Sequence, residues 1–334
     1  MVINHSFLSI YMIYVYIISK FLVLGGKMDI SIILNQLVTL FIVIGLGYFL
    51  RKIKLMPVEF TRQLTKLLLY VAMPCLIINS VLTMQERPDI KNVMIAFIAS
   101  FAMYIFLPLI GWIVSKILFV PKKDLGLYIF MTTFLNVGFM GYPLIEALLG
   151  NQAIFYTSIV NIVFNLGCYS YGILLVNMGI HDDVKLSPKL LLTPGLIFSF
   201  VALILYFFNI HFPESVTKSF TYVGGLTTPL AMLLIGTSLA NIDIKKVFTE
   251  WRLYIFTAIK QIALPILLCP LIKYFITDSV LNNVIFIMIS VPIANSAVLF
   301  ATEYRANEEL AAKAVFISTL LSLATIPIVV SLCF

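Results

Sequence analysis

Two short polar breaks inside long apolar runs carry the chemistry of this chain. Leu135-Asn136-Val137-Gly138-Phe139-Met140-Gly141-Tyr142-Pro143 interrupts one run, and Val291-Pro292-Ile293-Ala294-Asn295-Ser296 interrupts another. Gly and Pro unwind a helix at such places, and hydrocarbon cannot satisfy the freed N–H and C=O groups. A break therefore survives only where it lines a polar cavity or is buried in protein. A half-helix starting at a break aims its N-terminus, worth roughly +0.5 charge, at the middle of the membrane, where it attracts a carboxylate. Asn136 and Asn295 stand at equivalent points of the two breaks, and an amide can donate or accept there without adding charge. Gly138 and Gly141 permit close backbone approach. The chemistry predicted is reversible binding of a small organic anion, with no bond made or broken. Tyr142, Pro143, Pro292 and Ser296 complete the breaks, and Asn79 and Thr237 are candidates for the cavity wall.

Charged residues inside the apolar runs are few. Lys260 lies about nine residues into its run, followed by Gln261-Ile262-Ala263-Leu264-Pro265. A buried ammonium is costly and points to function. It could neutralise a substrate carboxylate, or pair with a carbonyl end of a broken helix. Glu146, one turn after Pro143, is a candidate proton carrier or an interfacial residue at the end of a half-helix. Glu303, in Ala301-Thr302-Glu303-Tyr304-Arg305, is a coupling candidate close to a run's end, with Arg305 or Lys66 expected as a structural partner.

Other chemistries are excluded by what the chain lacks. None of its Asp residues falls inside an apolar run, so it has no intramembrane carboxylate pair. No P-loop supports ATP-driven work, so transport must draw on a gradient. His5, His181 and His211 lie outside or at the edges of the runs, and Cys75, Cys168, Cys269 and Cys333 are not spaced for a metal. No enzyme chemistry, cofactor or metal site is expected. The chain carries a net charge of +7, yet its basic residues are scattered over short loops, which argues against a nucleic-acid partner.

The elements that must position these residues are membrane helices. The chain is 61% hydrophobic and 11% charged, where a soluble domain carries about 25% charged residues. Ten runs are long enough to cross a bilayer. They cover roughly 32–50, 63–83, 92–118, 125–149 and 152–177, then 190–208, 217–240, 252–276, 280–301 and 309–333. The breaks fall in the fourth and ninth, the fourth of each half. The second run of each half carries a proline, Pro74 and Pro229, expected to kink it. Cytoplasmic loops collect Lys and Arg. With both ends of the ten-span core placed outside, inner loops and flanks hold Arg51, Lys52, Lys54, Arg62, Lys66, Lys116, Lys122, Lys123, Lys185, Lys189, Lys245, Lys246, Arg252, Arg305 and Lys313. Outer loops hold only Arg87, Lys91, Lys218 and Lys273. Five spans per half then insert the halves in opposite senses, as an inverted repeat requires. The divisions expected are a first repeat at 28–180, a linker at 181–189 and a second repeat at 190–334. Residues 1–27 form an N-terminal extension, read as a further apolar segment or a start assigned upstream of Met28.

Several strings resemble the auxin efflux carrier family, in its small bacterial form. They are Tyr70 to Leu82 around Met73-Pro74, Asn136 to Pro143, Pro229 to Ala240, Pro292 to Tyr304 and Ser318 to Pro327. The resemblance implies an all-α integral membrane protein of ten transmembrane helices in two inverted five-helix repeats. The broken fourth and ninth helices would cross in a mobile domain, and spans one, two, six and seven would form a scaffold. It further implies an elevator-like carrier of malate- or malonate-like anions in the cytoplasmic membrane, driven by a proton or membrane-potential gradient. Exposed scaffold helices would suit a homodimer. The alternatives are a sodium-coupled symporter of the related bile-acid type and, less in keeping with two opposed breaks, a channel. The short linker, in place of the long loop of plant members, makes auxin an unsuitable substrate.

Overall fold

The computed structural model describes residues 30–84, 87–178, 193–240 and 250–333. The extension 1–27, the linker 181–189 and the loop lysines Lys245 and Lys246 lie outside the described residues. Among the described residues the chain is helical throughout, apart from one isolated antiparallel bridge between Leu135 and Ile293. In the first half the helices are α1 Ile30–Lys52, α2 Val58–Leu82, α3 Ile90–Ile117, α4 Lys122–Thr133, α5 Val137–Leu149 and α6 Gln152–Asn177. In the second they are α7 Pro194–Phe207, α8 Glu214–Gly224, α9 Thr227–Ala240, α10 Trp251–Phe275, α11 Ser279–Ser290, α12 Ser296–Glu303 and α13 Glu308–Cys333. Six stretches are long and apolar enough to cross a membrane: α2, α3, α6, α8 with α9, α10 and α13. The fourth and ninth expected spans are each two helices, α4 with α5 and α11 with α12, separated at the breaks.

Proline shapes the long helices by a common route. A π turn over Leu68–Ala72 ends just before Met73-Pro74, one over Val137–Gly141 before Tyr142-Pro143, and one over Ile259–Ala263 before Leu264-Pro265. Proline has no N–H, and its ring crowds the carbonyl four residues back, so the preceding turn widens to keep its bonds. Pro74 thus sits in a continuous helix. In the seventh span the interruption falls earlier than expected, at Gly225-Leu226, with Pro229 already inside α9.

Glycine sets the tightest packing. A Cβ on Gly236 of α9 would stand 2.0 Å from the Ile44 carbonyl oxygen, and one on Gly47 of α1 2.2 Å from that of Leu233. The backbones of α1 and α9 therefore touch, as small residues allow in a membrane where no hydrophobic drive joins helices. α7 and α8 pack on α2, where Gly224 meets the backbone at Leu76. The two halves are thereby reciprocal: α1 packs on α9, and α7 packs on α2.

Candidate functional site

The two breaks are held face to face by backbone. The Asn136 amide donates to the Pro292 carbonyl at 3.0 Å, and the Ala294 amide donates to the Phe134 carbonyl at 3.1 Å. This bridge uses the groups that unwinding releases, so the local cost of each break is met by the other. Both strands of the bridge are buried. The half-helices α5 and α12 start from it, and α4 and α11 end at it.

Asn136 caps α5. Its Oδ1 accepts from the Phe139 amide at 3.2 Å, and its backbone carbonyl accepts from Met140 and Gly141. The side chain is 4% exposed, and its Nδ2 takes no protein acceptor among the described residues. Asn295 begins α12 without a side-chain cap and is part-exposed. The backbone amides of Gly138, Asn295 and Ser296, all part-exposed, reach no protein acceptor among the described residues. Free donors at two opposed half-helix N-termini are a ready anion site.

Lys260 closes the second break from behind. Its Nζ donates 2.7 Å to the Val291 carbonyl, and the residue is 1% exposed. Next to it Gln261 Nε2 donates 2.9 Å to the Ser318 carbonyl and its Oε1 accepts from Thr325. The Ser318 hydroxyl in turn accepts from the Ile293 amide at 3.3 Å. The π turn of α10 makes this possible, because widening the turn presents both Lys260 and Gln261 to α11 and α13. An aromatic wall lies on the other side: Phe130 packs against Phe134 at 4.6 Å between ring centres and against Phe300 at 5.6 Å.

Comparison with known proteins accords with this architecture. A family model described as "membrane transport protein", that of the auxin efflux carriers, matches residues 32–181 and 184–330. The chain belongs to this family. An uncharacterised transporter of Methanocaldococcus jannaschii is 26% identical over 295 residues, covering 85% of this chain and 94% of its own. One from Methanothermobacter thermautotrophicus is 24% identical over 316 residues, covering 88% and 96%. The protein is thus a membrane transport protein of the auxin efflux carrier family.

The remaining expected residues of this transporter fall into two groups. Gly141 lies against Met288 of α11, whose Cε would be 2.9 Å from a Cβ there, and Gly138 faces the Met73 Cε. Tyr142 and Pro143 are buried in the first turn of α5 beyond its π turn. Ser296 Oγ accepts a weak bond from Cys168 of α6 at 3.7 Å. These five contact the breaks or continue them.

Others lie elsewhere. Glu146 accepts a 2.6 Å hydrogen bond from Thr228 of α9. Asn79 Oδ1 accepts from Thr221 of α8 at 2.8 Å, so it joins α2 to α8. Thr237 is fully buried and donates to Leu234 of its own helix at 2.8 Å. Glu303 is exposed at the end of α12 and forms no ion pair among the described residues, where Arg305 or Lys66 was expected. At the N-terminal ends of three helices, α4, α10 and α13, a cavity of about 290 Å³ is lined by Lys123, Asp124, Glu250, Arg252, Asn307 and Glu309, among others. None of the expected site residues lines it. Gln261, Ser318 and Thr228 are the site's neighbours that sequence reasoning passed over. Their signal was a polar residue inside an apolar run.

Proposed function

We propose that the protein is a gradient-driven carrier of small organic anions, malate- or malonate-like carboxylates, in the cytoplasmic membrane. The observation that carries this reading is the pair of opposed half-helix N-termini with unbonded amides at Gly138, Asn295 and Ser296. A carboxylate placed between them gains donors and two helix dipoles without meeting a fixed negative charge.

In this reading the ten spans form two inverted five-helix repeats, 28–180 and 190–334, joined by the linker 181–189. The reciprocal packing of α1 on α9 and of α7 on α2 supports it. The scaffold is α1, α2, α7, α8 and α9. The remaining helices move past it as a unit, carrying the anion in an elevator-type cycle. Thr228 to Glu146 and Asn151 to Thr83 join scaffold to moving unit at the end assigned to the outside. At the other end, α12 packs chiefly on α4, α6 and α13, and Leu299 is 59% exposed. The described conformation is accordingly read as closed outside and accessible from the cytoplasm. Glu146, sitting on the sliding boundary, is the proposed carrier of a coupling proton. A homodimer through scaffold helices belongs to the same proposal.

The test is uptake of labelled malate and malonate into proteoliposomes under an imposed proton gradient. Saturable accumulation that collapses with the gradient supports the reading. Flux that does not saturate identifies a channel, and no uptake of any carboxylate by folded protein overturns the substrate class.

A further inference from the structure

In transporters built on broken helices, unwound carbonyls and half-helix C-termini are where coupling cations are held. The C-terminus of α11 is such a place, with the negative end of its dipole directed at the second break. Here a cation of the chain itself stands on it. Lys260 Nζ lies 2.7 Å from the Val291 carbonyl, and the side chain is 1% exposed.

Among the described residues no carboxylate pairs with that ammonium. The ion pairs among the described residues are Lys218–Glu214 and Lys313–Glu309, and Lys260 is in neither. A buried ammonium without a counter-ion is strongly disfavoured unless dipoles and carbonyl oxygens take the place of one. Here those are the end of α11 and the Val291 oxygen. The side chains around it are neutral and rich in oxygen: Gln261 is bound to Ser318 and Thr325, and the Ser318 hydroxyl holds the Ile293 amide.

Among the described residues the first break has no such cation. The cations of α3, Lys91 and Lys116, lie at its two ends. Near the end of α4 the Thr132 and Thr133 hydroxyls bond the Tyr128 and Ile129 carbonyls of their own helix and the Ala294 amide bonds Phe134, as near the end of α11 Ser290 bonds Phe286 and the Asn136 amide bonds Pro292. Hydroxyls and amides thus serve both breaks, and among the described residues the second alone adds a buried lysine, on the Val291 carbonyl.

We propose that Lys260 is a tethered cation filling, at the C-terminal end of a broken helix, the kind of position where a coupling cation is held in transporters built this way, so that the protein needs no sodium. The inference deepens the carrier reading by naming its cation, and its physical content, a filled cation position, is measurable without transport. It disfavours the sodium-coupled alternative on structural grounds.

The experiment compares thermal unfolding of purified protein in sodium chloride and in choline chloride at equal ionic strength. Wild type should unfold at the same temperature in both. Lys260→Ser removes the charge, leaves room and supplies an oxygen. It should be destabilised in choline and rise by about 2–4 °C in sodium, saturably. Lys260→Met, which fills the space without offering oxygen, should be destabilised equally in both salts. Sodium-selective stabilisation of wild type would overturn the proposal, and so would a folded Lys260→Ser that ignores sodium. If neither variant can be purified, the wild-type comparison still decides. Failure of malate uptake would leave these thermal results unaffected, so the two proposals fail separately.

Discussion

Replacing Asn136 separates its two jobs. Its Oδ1 caps α5 through the Phe139 amide, while its Nδ2 takes no acceptor among the described residues. Asn136→Ala removes both, and loss of an N-cap costs about 1 kcal/mol. For a chain of this size that lowers the unfolding temperature by about 1–2 °C. Asn136→Asp keeps the cap, because aspartate ranks with asparagine there, so any thermal loss it shows reports the burial of a charge rather than the loss of the cap. It also sets a negative charge beside the proposed carboxylate. Two like charges about 4 Å apart at an effective dielectric of about 20 repel by about 4 kcal/mol. That corresponds to roughly a thousandfold loss of affinity. The assay pairs thermal unfolding with proteoliposome uptake of labelled malate for wild type and both variants. Asn136→Ala should be less stable and transport weakly; Asn136→Asp, where it folds, should not transport at all. A stable Asn136→Asp protein with wild-type uptake would refute the assignment of the breaks as an anion site. An Asn136→Ala protein as stable as wild type would refute the capping argument.

Further outcomes follow from particular contacts. Gly236→Ala drives a methyl group into the Ile44 carbonyl at 2.0 Å, so it should cost about 1–3 kcal/mol or more. This would be seen as a lower unfolding temperature and less monodisperse protein. Glu146→Gln keeps an acceptor for Thr228 but cannot carry a proton. Counterflow of substrate should persist while its response to a proton gradient disappears, and an unchanged response would remove Glu146 from the coupling scheme. Thr302→Cys, on the exposed end of α12, should react with a membrane-impermeant maleimide from the cytoplasmic side. Labelling from the outside alone would reverse the assigned orientation.

Much of this protein was legible along the chain. Apolar runs and the absence of charge within them place the helices, because a lipid-facing segment has few options for its side chains or its backbone. The breaks were legible for the same reason: Gly, Pro and Asn at mid-run stand out where every backbone group must find a partner. The X-Pro steps at Met73-Pro74, Tyr142-Pro143 and Leu264-Pro265 mark the ends of three π turns, because proline's missing donor acts locally.

What only the folded chain decided is which group meets which across distance. Asn136 and Asn295 read alike in sequence, yet one is a buried cap and the other is part-exposed and uncapped. Thr237 and Asn79 read as cavity candidates, but rotation about their helix axes turns Thr237 onto its own backbone and Asn79 onto Thr221. A residue count along a helix does not fix that rotation; packing against α1 and α8 does. Lys260 was conspicuous as a charge in an apolar run, but its partner lies 31 residues away, at the Val291 carbonyl. Sequence determines where backbone must unwind and where charge is buried. Tertiary structure determines which unwound carbonyl faces the buried charge, because that depends on how α10, α11 and α13 come together.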